Sequence, residues 1–146
     1  MIKVSLKIFN AKTMRQEEKT KDAVSLIERV VNSDAFRDAV LKYGYERHYS
    51  KGWLWSKKWY TEWVDGFTST KETPAQVYAR IMSGITQDES TPDQELDFRV
   101  EVLNGGNGRV IGYTSHPYDR TYTYAWVFND YSIAELAGHL AHEYFH

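Results

Sequence analysis

Near the end of the chain, His142-Glu143-Tyr144-Phe145-His146 sets two imidazoles four residues apart with a carboxylate between them. In an α-helix, residues at that spacing lie on successive turns of one face, with Cβ atoms about 5–6 Å apart. Two neutral imidazoles so placed can converge on one Zn²⁺ at about 2.0–2.1 Å per Zn–N bond. A carboxylate one step round the helix can take a proton from an activated water without being a ligand itself. Bound zinc lowers the pKa of such a water toward ~7 and polarises a carbonyl. Residue type and spacing therefore name His142 and His146 as candidate metal ligands and Glu143 as candidate general base.

This chemistry needs a helix, and the sequence supplies one. Ser132 followed by Glu135 has the capping-box spacing, in which each side chain serves the other's free backbone N–H. With His142 set at zero and ~100° per residue, Glu135, His146, His139 and Glu143 fall between about 20° and 100°. Ile133, Leu136, Ala137, Leu140 and Tyr144 fall on the opposite side. One face is expected to pack on a sheet and the other to present three histidines and two glutamates. The helix runs to His146 with no Gly, Asn or Pro to stop it, so the natural domain is expected to continue past that residue.

The remaining elements follow from periodicity. Ile2, Val4, Leu6 and Ile8 alternate as a strand. Charged residues fill Lys12 to Asp22, and a helical pattern follows through Val24, Ile27, Val30 and Val31 to Phe36, Val40 and Leu41, broken near Asn32, with Ser33 or Asp34 as a second cap. Thr73-Pro74 opens a helix with Val77, Ile81 and Ile85 on its apolar face. A polar acidic connection over 86–97 leads to a strand through Leu96, Phe98, Val100 and Val102. Further strands are expected at Val110–Thr114 and Thr121–Phe128, with turns at 104–108 and 116–119. The predicted fold is a single α+β domain over 1–146. It has helices in the N-terminal half, a small, mostly antiparallel sheet after residue 95, and the C-terminal helix packed on that sheet.

Composition bounds the function. The chain has 146 residues, is 42% hydrophobic and 26% charged, and carries 18 Lys+Arg against 20 Asp+Glu. That balance argues against global electrostatic capture of nucleic acid. The absence of cysteine excludes disulfides, iron–sulfur clusters, thiolate zinc sites and thiol nucleophiles. No apolar stretch is long enough to span a bilayer. The N-terminus has no signal-peptide block, so a cytoplasmic address without membrane attachment is expected.

HEYFH on a capped helix after a β region resembles the active-site helix of zincin metallopeptidases. The preceding Ile111-Gly112-Tyr113-Thr114 and Thr121–Phe128 resemble the sheet and edge strand of small metzincin-like members. The resemblance implies a zincin-like fold and a hydrolase that cleaves peptide bonds with Zn²⁺. It also implies His142 and His146 as ligands, Glu143 as general base, and a peptide or protein substrate aligned on the edge strand. The family's extended motif continues with a Gly and a third His, which would fall past His146. A catalytic zinc takes three protein ligands and an open position. Further ligands are therefore sought in His139, His116 or a carboxylate, and the chain as it stands is expected to be truncated, with weak or no activity.

Residues 42–63 offer a different chemistry. Lys42, Arg47, Lys51, Lys57 and Lys58 stand against only Glu46 and Glu62, interleaved with Tyr43, Tyr45, Tyr49, Trp53, Trp55, Trp59, Tyr60 and Trp63. Such a mixture suits single-stranded nucleic acid or a protein partner, with Trp55, Trp59, Lys57 and Lys58 as the candidate patch. The competing expectation is packing, with Trp55, Trp59 and Trp63 as a helical core stripe. A zincin-shaped scaffold without chemistry is a third reading. The glycines of 104–108 lack the Lys-Ser/Thr of a phosphate loop, and the acidic run over 86–97 lacks the order of a calcium loop.

Overall fold

The computed structural model describes residues 1–66, 72–85, 92–115 and 120–145. The fold is α+β, with two separate sheets. A four-stranded sheet has the order β1-β4-β6-β5, built from β1 (Lys3–Phe9), β4 (Glu95–Leu103), β6 (Thr121–Tyr124) and β5 (Gly112–Thr114). A two-stranded hairpin pairs β2 (Gly44–Lys51) with β3 (Lys58–Asp65). The helices are α1 (Met14–Val31), α2 (Asp34–Leu41), α3 (Pro74–Ser83), the single turn α4 (Val127–Asp130) and α5 (Ile133–Tyr144).

The central strand β4 alternates strictly. Leu96, Phe98, Val100 and Val102 are buried on one face, and the residues between them are more exposed. β1 lies parallel beside it in a register that sets Val4, Leu6 and Ile8 against Leu96, Phe98 and Val100, so one apolar face spans both strands. Helices α1 and α5 cover that face. They contribute Ala23, Val24, Ile27 and Val31 from α1, and Leu136, Ala137 and Leu140 from α5. The far face is polar: Ser5 donates to Asp97 across the ladder, and Arg120 pairs with Glu101 at 2.8 Å.

Two clasps fix these layers. Asn32, just past α1, accepts from Ile2 N at 2.8 Å and donates to Ile2 O at 2.9 Å, tying the helix end to β1. Lys19 Nζ donates to the carbonyls of Phe128 and Tyr131, tying α1 to the turn that launches α5.

Several expectations change. The sheet is mostly parallel, because β1–β4 and β4–β6 are parallel pairs and only β5–β6 is antiparallel. It also recruits β1 from the start of the chain. α1 begins at Met14, inside the charged stretch from Lys12 to Asp22 after which the helical pattern was expected, and is capped by Thr13. The strand expected over Thr121–Phe128 ends at Tyr124, and Val127 and Phe128 enter the core from α4 instead. The tryptophans of 53–63 form no α-helical stripe: Trp59 and Trp63 stand on a β-hairpin, and Trp53 and Trp55 on its turn, which holds a short 3₁₀ helix over Leu54–Ser56. The turn expected at 116–119 lies outside the described residues. No helix among the described residues is long and apolar enough to cross a membrane.

Candidate active site

α5 starts where expected. The Ser132 side chain accepts from Glu135 N at 3.2 Å, and Glu135 Oε2 accepts from Ser132 N at 2.7 Å. Those bonds, the Ser132 backbone bond first, hold the Glu135 carboxyl below its ordinary pKa. Leu136 and Leu140 are fully buried, Tyr144 stacks on Phe98 with ring centroids 4.3 Å apart, and Ile133 at the helix start stays exposed. This packing fixes the rotation of the helix and therefore where its polar side points.

The polar side faces a recess of about 440 Å³ between α5 and β5. Glu135, His139, His142 and Glu143 line it from the helix, with Ile111, Gly112, Arg109 and Tyr131 opposite. The four helix residues are among the five the helical projection grouped together; the fifth, His146, lies outside the described residues.

Glu143 is half-buried and tied to the sheet. The Thr114 hydroxyl lies 3.0 Å from both the Glu143 carbonyl oxygen and Oε2, so its one proton is shared between two acceptors on that residue. Glu143 Oε1 lies 3.9 Å from His139 Nδ1, too far for a hydrogen bond. His139 Nε2 is 3.0 Å from Thr123 Oγ1 on β6. Burial pushes the His139 pKa below the ordinary histidine value. The Glu143 charge opposes that shift and His142 adds to it. Desolvation is the largest of these effects, so burial disfavours the charged form of the His139 imidazole.

Gly112 leaves room for the neighbouring strand β6 and for the His139 ring. A Cβ there would stand 2.0 Å from the Tyr122 carbonyl oxygen and 2.8 Å from His139 Nε2. Period-two geometry puts Gly112 and Thr114 on the helix-facing side of β5, and Tyr113 stacks on Tyr122 on the other side.

His142 is exposed and lines both this recess and an apolar groove of about 590 Å³ between α1 and α5. His146 and His116 lie outside the described residues. Among the described residues no three His, Asp or Glu side chains converge as a metal-binding group. What the recess does hold is two imidazoles, the exposed His142 and the more buried His139, beside the Glu143 carboxylate. A nitrogen donor beside an oxygen donor is chemistry that fits zinc, although the described helix ends at Tyr144, short of the run to His146 expected from the sequence. His139 shares the recess, but its Nε2 is engaged by Thr123.

Thr114, Thr123 and Gly112 were not singled out from the sequence. Their signal was available only once β5 and β6 were aligned, Thr114 opposite Thr121 and Gly112 opposite Thr123. The other candidate residues, Trp55, Trp59, Lys57 and Lys58, belong to the hairpin and not to this recess. Compared with protein-family models, curated proteins and solved structures, the chain matches none.

Proposed function

We propose that the chain carries a zincin-like, zinc-dependent peptide-hydrolysing centre, with His142 and His146 as metal ligands and Glu143 as general base. The observation that carries this reading is the setting of Glu143. It is a half-buried carboxylate held by Thr114 on a sheet-edge strand, in the recess that His142 also lines.

Zinc, when bound, would supply a Lewis acid that lowers the pKa of water and polarises a carbonyl. The chain's own residues do the rest. Thr114 holds Oε2, which leaves Oε1 as the oxygen to accept a proton. A general base needs such fixed placement within hydrogen-bond reach of the proton it removes. His139 stands between Thr123, 3.0 Å from its Nε2, and Glu143, whose Oε1 is 3.9 Å from its Nδ1. β5 is the last strand of its sheet, so an extended peptide can add along it by main-chain hydrogen bonds and bring a scissile bond over the recess.

The test is hydrolysis of an extended-peptide library by the zinc-loaded protein. Activity should vanish with a chelator and return with zinc. Glu143→Gln should lower the rate by ~10²–10⁴-fold while leaving zinc uptake intact. Zinc should also raise the melting temperature, because a ligand that binds only the folded state stabilises it. No hydrolysis together with an unchanged melting temperature would instead identify a scaffold without chemistry.

A further inference from the structure

The β2–β3 hairpin ends in Lys51-Gly52-Trp53-Leu54-Trp55-Ser56-Lys57-Lys58, a turn with two tryptophans at its apex and lysines on both sides. Trp53 is 83% and Trp55 98% exposed. The turn is a built one. Trp53 leads into a short 3₁₀ turn over Leu54–Ser56, and Gly52 has φ +106°, where a Cβ would stand 2.4 Å from the Ser56 carbonyl oxygen. β2 and β3 pack on each other as a sheet of their own. Behind the apex, Trp59 and Trp63 continue an exposed aromatic stripe on one face, and Gly44 leaves room for the Trp63 ring to lie across the ladder.

The charge pattern is one-sided. No acidic residue occurs between Lys51 and Tyr60. Lys51 and Lys58 sit directly opposite each other in the ladder, a like-charge pair that disfavours the hairpin in isolation. Among the described residues Lys51, Lys57 and Lys58 meet no carboxylate. Lys57 lies over the Trp59 ring and Lys51 over Tyr49, both at 5.5 Å.

We infer that this tip is an attachment point for an anionic lipid surface. Tryptophan is favoured where an apolar medium meets water, since its ring prefers one side and its N–H the other. Lysines at the same depth meet the negative potential of acidic headgroups, each strengthening binding about fivefold. The shape separates this from capture of single-stranded nucleic acid. Such binders track the backbone in a groove and stack bases along it, whereas Trp53 and Trp55 crown a protruding turn. This mode needs no membrane-spanning segment and is independent of the chemistry assigned to α5.

The test is sedimentation of the whole protein with phosphatidylcholine vesicles, with and without about one-third phosphatidylserine, at low and high salt. The tip predicts binding to the acidic vesicles, loss at high salt, and quenching of tryptophan emission by bromine-labelled lipid chains. Replacing Lys51, Lys57 and Lys58 together with Ser should weaken binding on the order of a hundredfold. Trp53→Ser with Trp55→Ser should abolish the quenching and keep any residual charge attraction. Three results would overturn the inference: equal partition into neutral vesicles, indifference to both variants, or tip-dependent binding of a single-stranded oligonucleotide with none to vesicles. The quenching measurement needs no variant and decides the matter if either variant folds poorly.

Discussion

The α5–β5 recess and the β2–β3 tip both concentrate reactive or aromatic side chains, and the fold treats them in opposite ways. In the recess, Glu143 and His139 are drawn against the sheet, and each meets a threonine hydroxyl at 3.0 Å. At the tip, Trp53 and Trp55 stand almost wholly in solvent. A group that must hold one geometry needs burial and a second partner. A group that must reach a partner surface needs exposure on a rigid turn. Local density of chemistry-bearing residues is common to both, and burial tells their tasks apart.

The sharpest way to break this contrast is to cut into each region. Leu140→Ala, beneath the recess, should cost ~2–5 kcal/mol of folding stability in a denaturant titration. Trp55→Ala, an equally drastic loss of side chain, should change stability by no more than ~0.5 kcal/mol. Comparable losses at the two positions would mean that the hairpin is part of the core. Next in size is Thr114→Val, which keeps the shape and removes the hydroxyl that holds Glu143. It should lower the hydrolytic rate by ~10–100-fold, with recovery in Thr114→Ser.

How far each region could be read from the sequence follows the same division. α5 was legible because Ser132 and Glu135 mark its start, and Leu136 and Leu140 keep a helical period that the core then enforces. β4 was legible for the equivalent reason at period two. Sheet polarity was not. β1 pairs with β4 across some ninety positions of chain, and nothing local distinguishes a parallel partner from an antiparallel one. The hairpin was misread because residues four apart share a face in a helix and also in a strand. Trp59 and Trp63 therefore satisfy both patterns, and Trp55 lies on the turn before their strand. The start of α1 did have a signal: Thr13 and Gln16 have capping-box spacing, and the charges around them masked it. Thr114 and Thr123 carried no signal of their own, since their role exists only across strands.

Smaller effects sharpen the recess half of the comparison. Ser132→Ala should cost ~1 kcal/mol by freeing the first turn of α5, and a loss of protection near 133–136 should follow in hydrogen exchange. The smallest effect is pH-dependent. Burial holds the folded-state pKa of His139 below 6.5, so the unfolded chain takes up that proton first. His139 therefore costs no stability above about pH 6.5, and stability declines as pH falls from there toward the lowered folded value. Denaturant midpoints of the metal-free protein across this window should fall more steeply than those of His139→Gln.

The most direct measurement is a zinc titration of the purified protein beside His142→Ala and His146→Ala. One zinc per chain is expected. Each substitution should weaken binding by more than the ~10–100-fold that loss of an outer-shell partner costs, while Trp55→Ala binds unchanged. Zinc uptake that is absent, or equal in all four proteins, would contradict a metal centre on α5.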